Sequence, residues 1–292
     1  MKLTKAEKIG TVINGGVLFL LAFITIYPFW YVLMYSFSNS QAASAGGLFF
    51  LPKDFDLLGY KLVLQQKQIY SAYFISVSRT VIGTAISILL TATLAYPLSL
   101  PRLKGRGFLC AAIFFTMLFS GGMIPTYLLV NSVGLVDTFW ALIIPKAISA
   151  YNLFILRNYF QSIPTSLEES ARMDGASPLT ILFRIILPMS GPAIAAVCMF
   201  YGVACWNEYM DGVLYINSNN LQILQVYLRN LFASAGAGAV LSGVQGVSEA
   251  SKVTEETLKM VTIAVSIIPI LIVYPRLQKY YTKGVTVGAV KG

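Results

Sequence analysis

Residues 164–188 read PTSLEESARMDGASPLTILFRIILP, a charged island between two long apolar segments. Glu168, Glu169, Arg172, Asp174 and Arg184 fall within 17 residues of a chain that is only 11% charged. The local pattern predicts two short helices meeting at a bend. Ser166 is placed to N-cap the first, and Glu169, three residues on, completes a capping box. Gly175 is placed to end that helix in a left-handed turn. Ser177 followed by Pro178 predicts the N-cap and first position of a second helix, running into the next apolar segment. A capped, charged elbow kept on one face of a membrane protein is a candidate docking surface.

The flanking sequence establishes the membrane. The chain is 57% hydrophobic over 292 residues, with a mean hydropathy of +0.71. A soluble domain of this size cannot bury so much apolar surface, so lipid is its solvent. The six longest apolar runs are too many for a signal peptide plus a soluble body, and the run after MKLTKAEKIG is long enough to span. The net charge of +9 gathers at the ends of membrane segments, which points to orientation and away from nucleic acid. Cys110, Cys198 and Cys205 lie in or at the ends of apolar runs and read as buried thiols. The chain has no histidine, the commonest metal ligand and general base. No metal site is expected.

In chain order, the expectation is an all-α, polytopic protein with six transmembrane helices and a two-helix cytoplasmic elbow. Residues 1–10 form a cytoplasmic start, 11–281 the six-helix domain and 282–292 a cytoplasmic tail. The spans fall near 11–35, 75–100, 108–130, 138–156, 185–205 and 260–274, the last helix beginning earlier, near 254. The elbow occupies 164–188, and an outer loop 206–259. Tyr27, Phe29, Trp30 and Tyr31 sit at interfacial depth, and a polar stretch of about forty residues (36–74) follows the first span. With both ends inside, inner segments hold Lys2, Lys5, Lys8, Arg102, Lys104, Arg106, Arg157, Arg172, Arg184, Arg276, Lys279, Lys283 and Lys291, 13 in all. Outer segments hold Lys53, Lys61, Lys67, Arg79, Arg229, Lys252 and Lys259, 7 in all, with Lys146 intramembrane. The bias places the elbow in the cytoplasm.

The twelve acids address the energy source. None sits mid-span, and Glu208, at the outer end of span five, comes nearest. Ion-driven carriers usually keep an ionisable group near the midplane. Nor is there a G-x-x-x-x-G-K-[ST] loop to cradle phosphates. A transporter with neither an ion site nor a nucleotide site receives its work from a partner. An intramembrane ammonium at Lys146 costs about 2.5–3.5 kcal/mol on insertion scales, so it faces protein or water. Two readings stand: a positive lining for an anionic solute, or a lysine bonded to carbonyls freed by Pro145. Trp206, Asn207, Glu208 and Tyr209 combine a flat apolar face with hydrogen-bonding groups, suited either to sugar rings or to an interfacial anchor.

Glu169-Ser170-Ala171, three residues, Gly175, nine residues, then Ile185-x-Leu187-Pro188 resembles the EAA loop of the membrane subunits of binding-protein-dependent ABC importers. Ser170 stands where that pattern prefers Ala. The resemblance implies the type I importer permease fold, with the elbow as a coupling helix seated in a groove of a cytoplasmic ATPase. The implied ATPase-coupling residues are Glu168, Glu169, Ala171, Arg172, Asp174, Gly175, Ile185, Leu187 and Pro188. Four further stretches, SGGMIPTYLLV (120–130), DTFWALIIP (137–145), Trp206-Asn207-Glu208 and KGVTVGAVKG (283–292), resemble carbohydrate-uptake permeases similar to the smaller maltose permease subunit. The first two look most like the subgroup for oligosaccharides of uronic acids, of pectin and alginate type.

By this resemblance the C-terminal Gly284, Gly288, Lys291 and Gly292 reach between two ATPase subunits, although glycines at every fourth position also make a plain flexible end. The small-residue loop holding Gly236, Gly238 and Gly243 probes the docked binding protein, or is a simple linker. Lys146, Trp206, Asn207, Glu208 and Tyr209 become candidates for the substrate path. The expected partners are a second, homologous permease chain, an ATPase dimer carrying Mg-ATP, an extracytoplasmic solute-binding protein and lipid, with no nucleic acid. The chain itself binds no cofactor and catalyses no covalent chemistry. It sits in the bacterial cytoplasmic membrane and serves ATP-driven import of oligosaccharides, acidic ones by the subgroup. The alternatives are neutral oligosaccharides in the same machine, or an ion-coupled secondary carrier.

Overall fold

A computed structural model of the protein describes residues 5–233, 253–269 and 271–272. Gly236, Gly238, Gly243, Gly284, Gly288, Lys291 and Gly292 lie outside the described residues, as does the end of the sixth predicted span. Among the described residues every regular element is a helix, apart from one isolated bridge between Ser38 and Phe55. The described residues divide into two compact units, one of 5–69 with 228–233 and 253–268, the other of 70–227 with 269 and 271–272.

The first unit is built on α1 (Lys5–Ser36), whose most apolar 18-residue window contains no buried residue. The segment after it is no plain polar loop. It folds around Phe49, fully buried against the rings of Tyr31 and Tyr35 at 5.1 Å each, with the Lys53 ammonium 4.5 Å above the Phe49 ring. Asn39 caps α2 (Ser40–Ser44) by accepting from Gln41 and Ala42 amides. Asp56 accepts from the amide of Leu58 at the start of α3 (Leu58–Leu64). Polar side chains supply the caps, and buried Phe49 and Tyr35 supply the core. Gly59 meets Val261 and Thr257 so closely that a Cβ there would stand 3.1 Å from Val261 Cγ2.

The second unit is organised on α4 (Lys67–Ser99), 33 residues without a break. It begins eight residues before the predicted start at 75. Ala92, Ala95, Tyr96 and Leu98 of its second half share one buried cluster with Leu153, Leu156, Phe160, Ile181, Leu182, Ile186, Val197 and Tyr201. The two alanines are the small side chains that let helices approach closely in lipid.

Of the four spans predicted after α4, the first three are each broken. Helices α5 (Arg106–Leu118) and α6 (Met123–Ser132) meet at 114°, across a gap containing Gly121 and Gly122, the latter at φ +87°. The 3₁₀ segment Phe139–Lys146 and α7 (Ala150–Gln161) meet at 55°, just after Pro145. Between them and the last pair lies α8 (Thr165–Met173). Then α9 (Pro178–Ile181) passes through a π turn at Leu182–Ile186 into α10 (Leu187–Met189), which meets α11 (Gly191–Asn207) at 87° around Ser190-Gly191-Pro192. Gly121-Gly122 at the first gap, Pro145 just before the second and Gly191-Pro192 at the third explain why the helices stop. Hydropathy alone does not see the bends. Among the described residues two helices are long and apolar enough to cross a membrane unaided, or five if each bent pair counts as one span. Further along lie α12 (Met210–Tyr215), a 3₁₀ turn (Asn219–Leu221), α13 (Leu224–Ala233) and a helix at residues 255–269.

Candidate functional site

The elbow forms as two helices meeting at a bend, with one local correction. Helix α8 starts at Thr165 behind Pro164, with no side-chain cap. Ser166 therefore lies inside the helix, its carbonyl accepting from Ser170 Oγ at 2.9 Å, and the Ser166–Glu169 capping box does not form. Pro164, at φ −56°, already supplies the turn into the helix one residue earlier. The other end matches expectation. Gly175 sits at φ +79°, its amide donates to Arg172 O, and the Ala176 amide donates to Ala171 O, each at 2.9 Å. These are the two bonds of a Schellman motif, and they satisfy carbonyls that a helix end otherwise leaves open. Ser177 Oγ accepts from the Thr180 amide and Pro178 follows it, so the second helix is capped as its sequence indicates.

The elbow's side chains separate into two groups. Glu169, Asp174, Gly175 and Pro188 are exposed, as are Met173 at 89%, Leu179 and Phe183. Ala171 is buried, and Arg172, Ile185 and Leu187 are half-buried. Glu168 turns inward: its Oε1 accepts from Tyr96 Oη at 3.1 Å and from the guanidinium groups of Arg102 and Arg172. It thus fastens α8 to the end of α4 and to the loop that follows, a contact with no short-range signature in the sequence.

A second constellation gathers around α4. Arg79, counted with the outer segments although it falls within the second predicted span, lies inside α4 and is 2% exposed. Its Nη2 pairs with Asp211 Oδ2 at 2.9 Å, Nη1 donates to Glu208 O at 2.7 Å, and Nε donates to Leu142 O at 3.1 Å. The free carbonyl beside the broken fourth span is thus satisfied by Arg79. Lys146 does not take that role. Its ammonium pairs with Glu208 Oε2 at 2.9 Å and Asp211 Oδ1 at 2.8 Å, so neither a lone positive lining nor a carbonyl-bound lysine describes it. Two cations and two carboxylates leave the cluster neutral, the condition under which charges persist in a low-dielectric setting. Exposure is graded across it: the Arg79 and Asp211 side chains are 3% and 4% exposed, Glu208 31% and Lys146 56%. Glu208 also accepts from the Met210 amide through Oε1 at 3.0 Å. Of its neighbours in sequence, Trp206 is half-buried, and Asn207 and Tyr209 are exposed.

A buried Tyr201 completes this half of the molecule. Its hydroxyl bonds Thr91 Oγ1 at 2.7 Å and accepts from the Ser149 amide at 2.9 Å, filling a donor exposed by the break before α7. Cys110, Cys198 and Cys205 are free and half-buried, less enclosed than their apolar runs indicate.

Residues 68–287 match the family of the binding-protein-dependent transport system inner membrane component. The chain belongs to that family. The permease is 45% identical over 95% of its length to the polygalacturonan/rhamnogalacturonan transport system permease protein YtcP of Bacillus subtilis (strain 168), covering 96% of that protein. It is 42% identical over 99% of its length to Protein LplC of the same organism, covering 97% of that protein. Among solved structures it superposes on a chain from a bacterial ABC transporter involved in import of the acidic polysaccharide alginate. The TM-score is 0.89 at 34% identity, covering 96% of the permease and 99% of that chain. It is a transport subunit, an inner-membrane component of a binding-protein-dependent transport system.

Proposed function

We propose that the permease is one half of the membrane path of an ATP-driven, binding-protein-dependent importer of acidic oligosaccharides. A second, homologous permease chain completes the path. A dimer of ATPase subunits with Mg-ATP drives it from the cytoplasm, and an extracytoplasmic solute-binding protein delivers the sugar. Both termini face the cytoplasm. The elbow residues Glu169, Asp174, Gly175, Ile185, Leu187 and Pro188 form the ATPase-facing side, with Glu168, Ala171 and Arg172 holding that side to the bundle. Gly288, Lys291 and Gly292 follow the ATPases from the tail. Gly236, Gly238 and Gly243 probe the binding protein, and Lys146, Trp206, Asn207, Glu208 and Tyr209 line the path.

The observation that carries this reading is the elbow itself. A closed, well-capped turn exposes Met173, Leu179 and Phe183 together with Glu169 and Asp174, an apolar patch rimmed by charge that suits a protein partner. The acidic cargo rests on the relatives that handle polygalacturonan and alginate. Gly175 provides the test. A Cβ there meets nothing within 4 Å, so Gly175→Ala carries only the left-handed backbone penalty, about 1–2 kcal/mol, and retains most uptake. Gly175→Arg places bulk and charge on the docked face and is expected to abolish ATP-dependent uptake in vesicles while leaving membrane insertion intact. Unimpaired uptake by Gly175→Arg would overturn the coupling role. A second reading, neutral cargo in the same machine, draws support from the cluster, where Glu208 and Asp211 already compensate Lys146.

A further inference from the structure

We propose that Lys146 is a carboxylate-exchange site: a uronate carboxylate of the passing sugar replaces Glu208 on the Lys146 ammonium, and Glu208 returns as the sugar leaves. This deepens, and rests on, the reading of the permease as an importer of acidic sugars. The two carboxylates on Lys146 are not equivalent. Asp211 is enclosed and committed to Arg79 through its other oxygen. Glu208 is partly exposed and has a second anchor, the Met210 amide on Oε1. Glu208 can therefore release Lys146 through Oε2 while its other oxygen keeps the hydrogen bond from the Met210 amide. Lys146 is the most exposed member of the cluster, so an incoming carboxylate meets the ammonium before it meets the guanidinium. The exposed ring of Tyr209 adjoins Glu208 in the chain and offers an apolar face of the kind sugar rings pack on.

Exchange also resolves the apparent conflict between a compensated lysine and an anionic cargo. Passage requires binding strong enough to admit the solute and weak enough to release it. A bare lysine in a low-dielectric path would hold a polyuronate, whose every sugar bears a carboxylate, and would stall it. A lysine that trades one carboxylate for another keeps the cluster neutral when the site is empty, and the internal competitor promotes release. Neutral sugars gain nothing from the trade, because they cannot replace the charge of Glu208. The site thereby selects on charge while holding no fixed excess charge of its own.

Direct binding of trigalacturonate and of its uncharged methyl ester tests the exchange, by calorimetry on the solubilised permease–ATPase complex without binding protein. Removing the internal competitor in Glu208→Gln is expected to tighten trigalacturonate binding about tenfold. Lys146→Met is expected to abolish it, and Lys146→Arg to stay within about threefold of wild type. The ester is expected to bind all four proteins alike. A cluster that only holds the fold together, away from the bound sugar, leaves trigalacturonate affinity unchanged in all the variants. Weaker or unchanged binding by Glu208→Gln, or an ester that follows the same series, would overturn exchange. Uptake of trigalacturonate by wild-type vesicles with binding protein separates the two levels. If uptake occurs and the opposite changes do not, exchange alone fails; if wild type takes up none, the acidic-cargo reading fails with it.

Discussion

Asp137 adopts φ +59°, a left-handed conformation in which a short polar side chain is among the few tolerated without glycine. Its carboxylate recovers the strain. Oδ1 accepts from the amides of Asn217 and Ser218 at 2.9 and 2.8 Å, and Oδ2 accepts from the Ser218 hydroxyl. These bonds, the hydroxyl first, hold its pKa below the ordinary carboxylate value of 3.8. A depressed pKa means that the unfolded chain takes up the proton first, so the tie is complete above pH 3.8 and weakens only as pH falls toward the folded value. Asp137→Asn is expected to melt below wild type at pH 7, and the gap to narrow only once pH drops below 3.8. A gap that already closes between pH 7 and 5 would show that another group is responsible. At this scale the sequence is a partial guide. The sequence marked Lys146 as a charge within a predicted span and Glu208 as the acid lying nearest the middle of one, without linking the two. Arg79 and Asp211 were not, because their pairing spans 132 positions and no local period records it.

The elements were legible where their signals are local. Gly175, Ser177 and Pro178 sit where they were expected because caps are decided within four residues. The breaks in the third, fourth and fifth spans were missed although Gly121-Gly122, Pro145 and Ser190-Gly191-Pro192 are written in the chain. An apolar run reports that a segment avoids water, and says nothing about whether it stays straight. Against those broken spans α4 stands out as a continuous rod. Arg79, about a third of the way along it, grips the charge cluster, and Tyr96 near its C-terminal end is tied to Glu168 on the elbow. The 17 positions between them correspond to about 26 Å at 1.5 Å per residue. A displacement of α8 is thereby passed along a stiff element, provided the Glu168 tie holds. Glu168→Gln keeps the size and one acceptor but removes the charge that two guanidinium groups share. It is expected to reduce sugar moved per ATP hydrolysed by about five- to tenfold. The measurement is the ratio of uptake to hydrolysis in proteoliposomes. Parallel loss of both rates would mean that Glu168 only supports the fold.

For the whole molecule the proposed orientation of α4 rests on charge asymmetry, since lipid composition and helix packing are indifferent to direction. Arg79 belongs to a buried pair and does not report on loop charge, so the count becomes 13 inner to 6 outer. Two exposed positions provide readable probes: Met173 on the elbow and Leu51 in the segment after α1, at 89% and 75% exposure. In a background with Cys110, Cys198 and Cys205 replaced, Leu51→Cys is expected to react with a membrane-impermeant maleimide on intact cells. Met173→Cys should react only after lysis. The opposite pattern would place the elbow where no ATP-hydrolysing subunit can reach it, and every role assigned to Glu169, Asp174 and Gly175 would fall with the orientation.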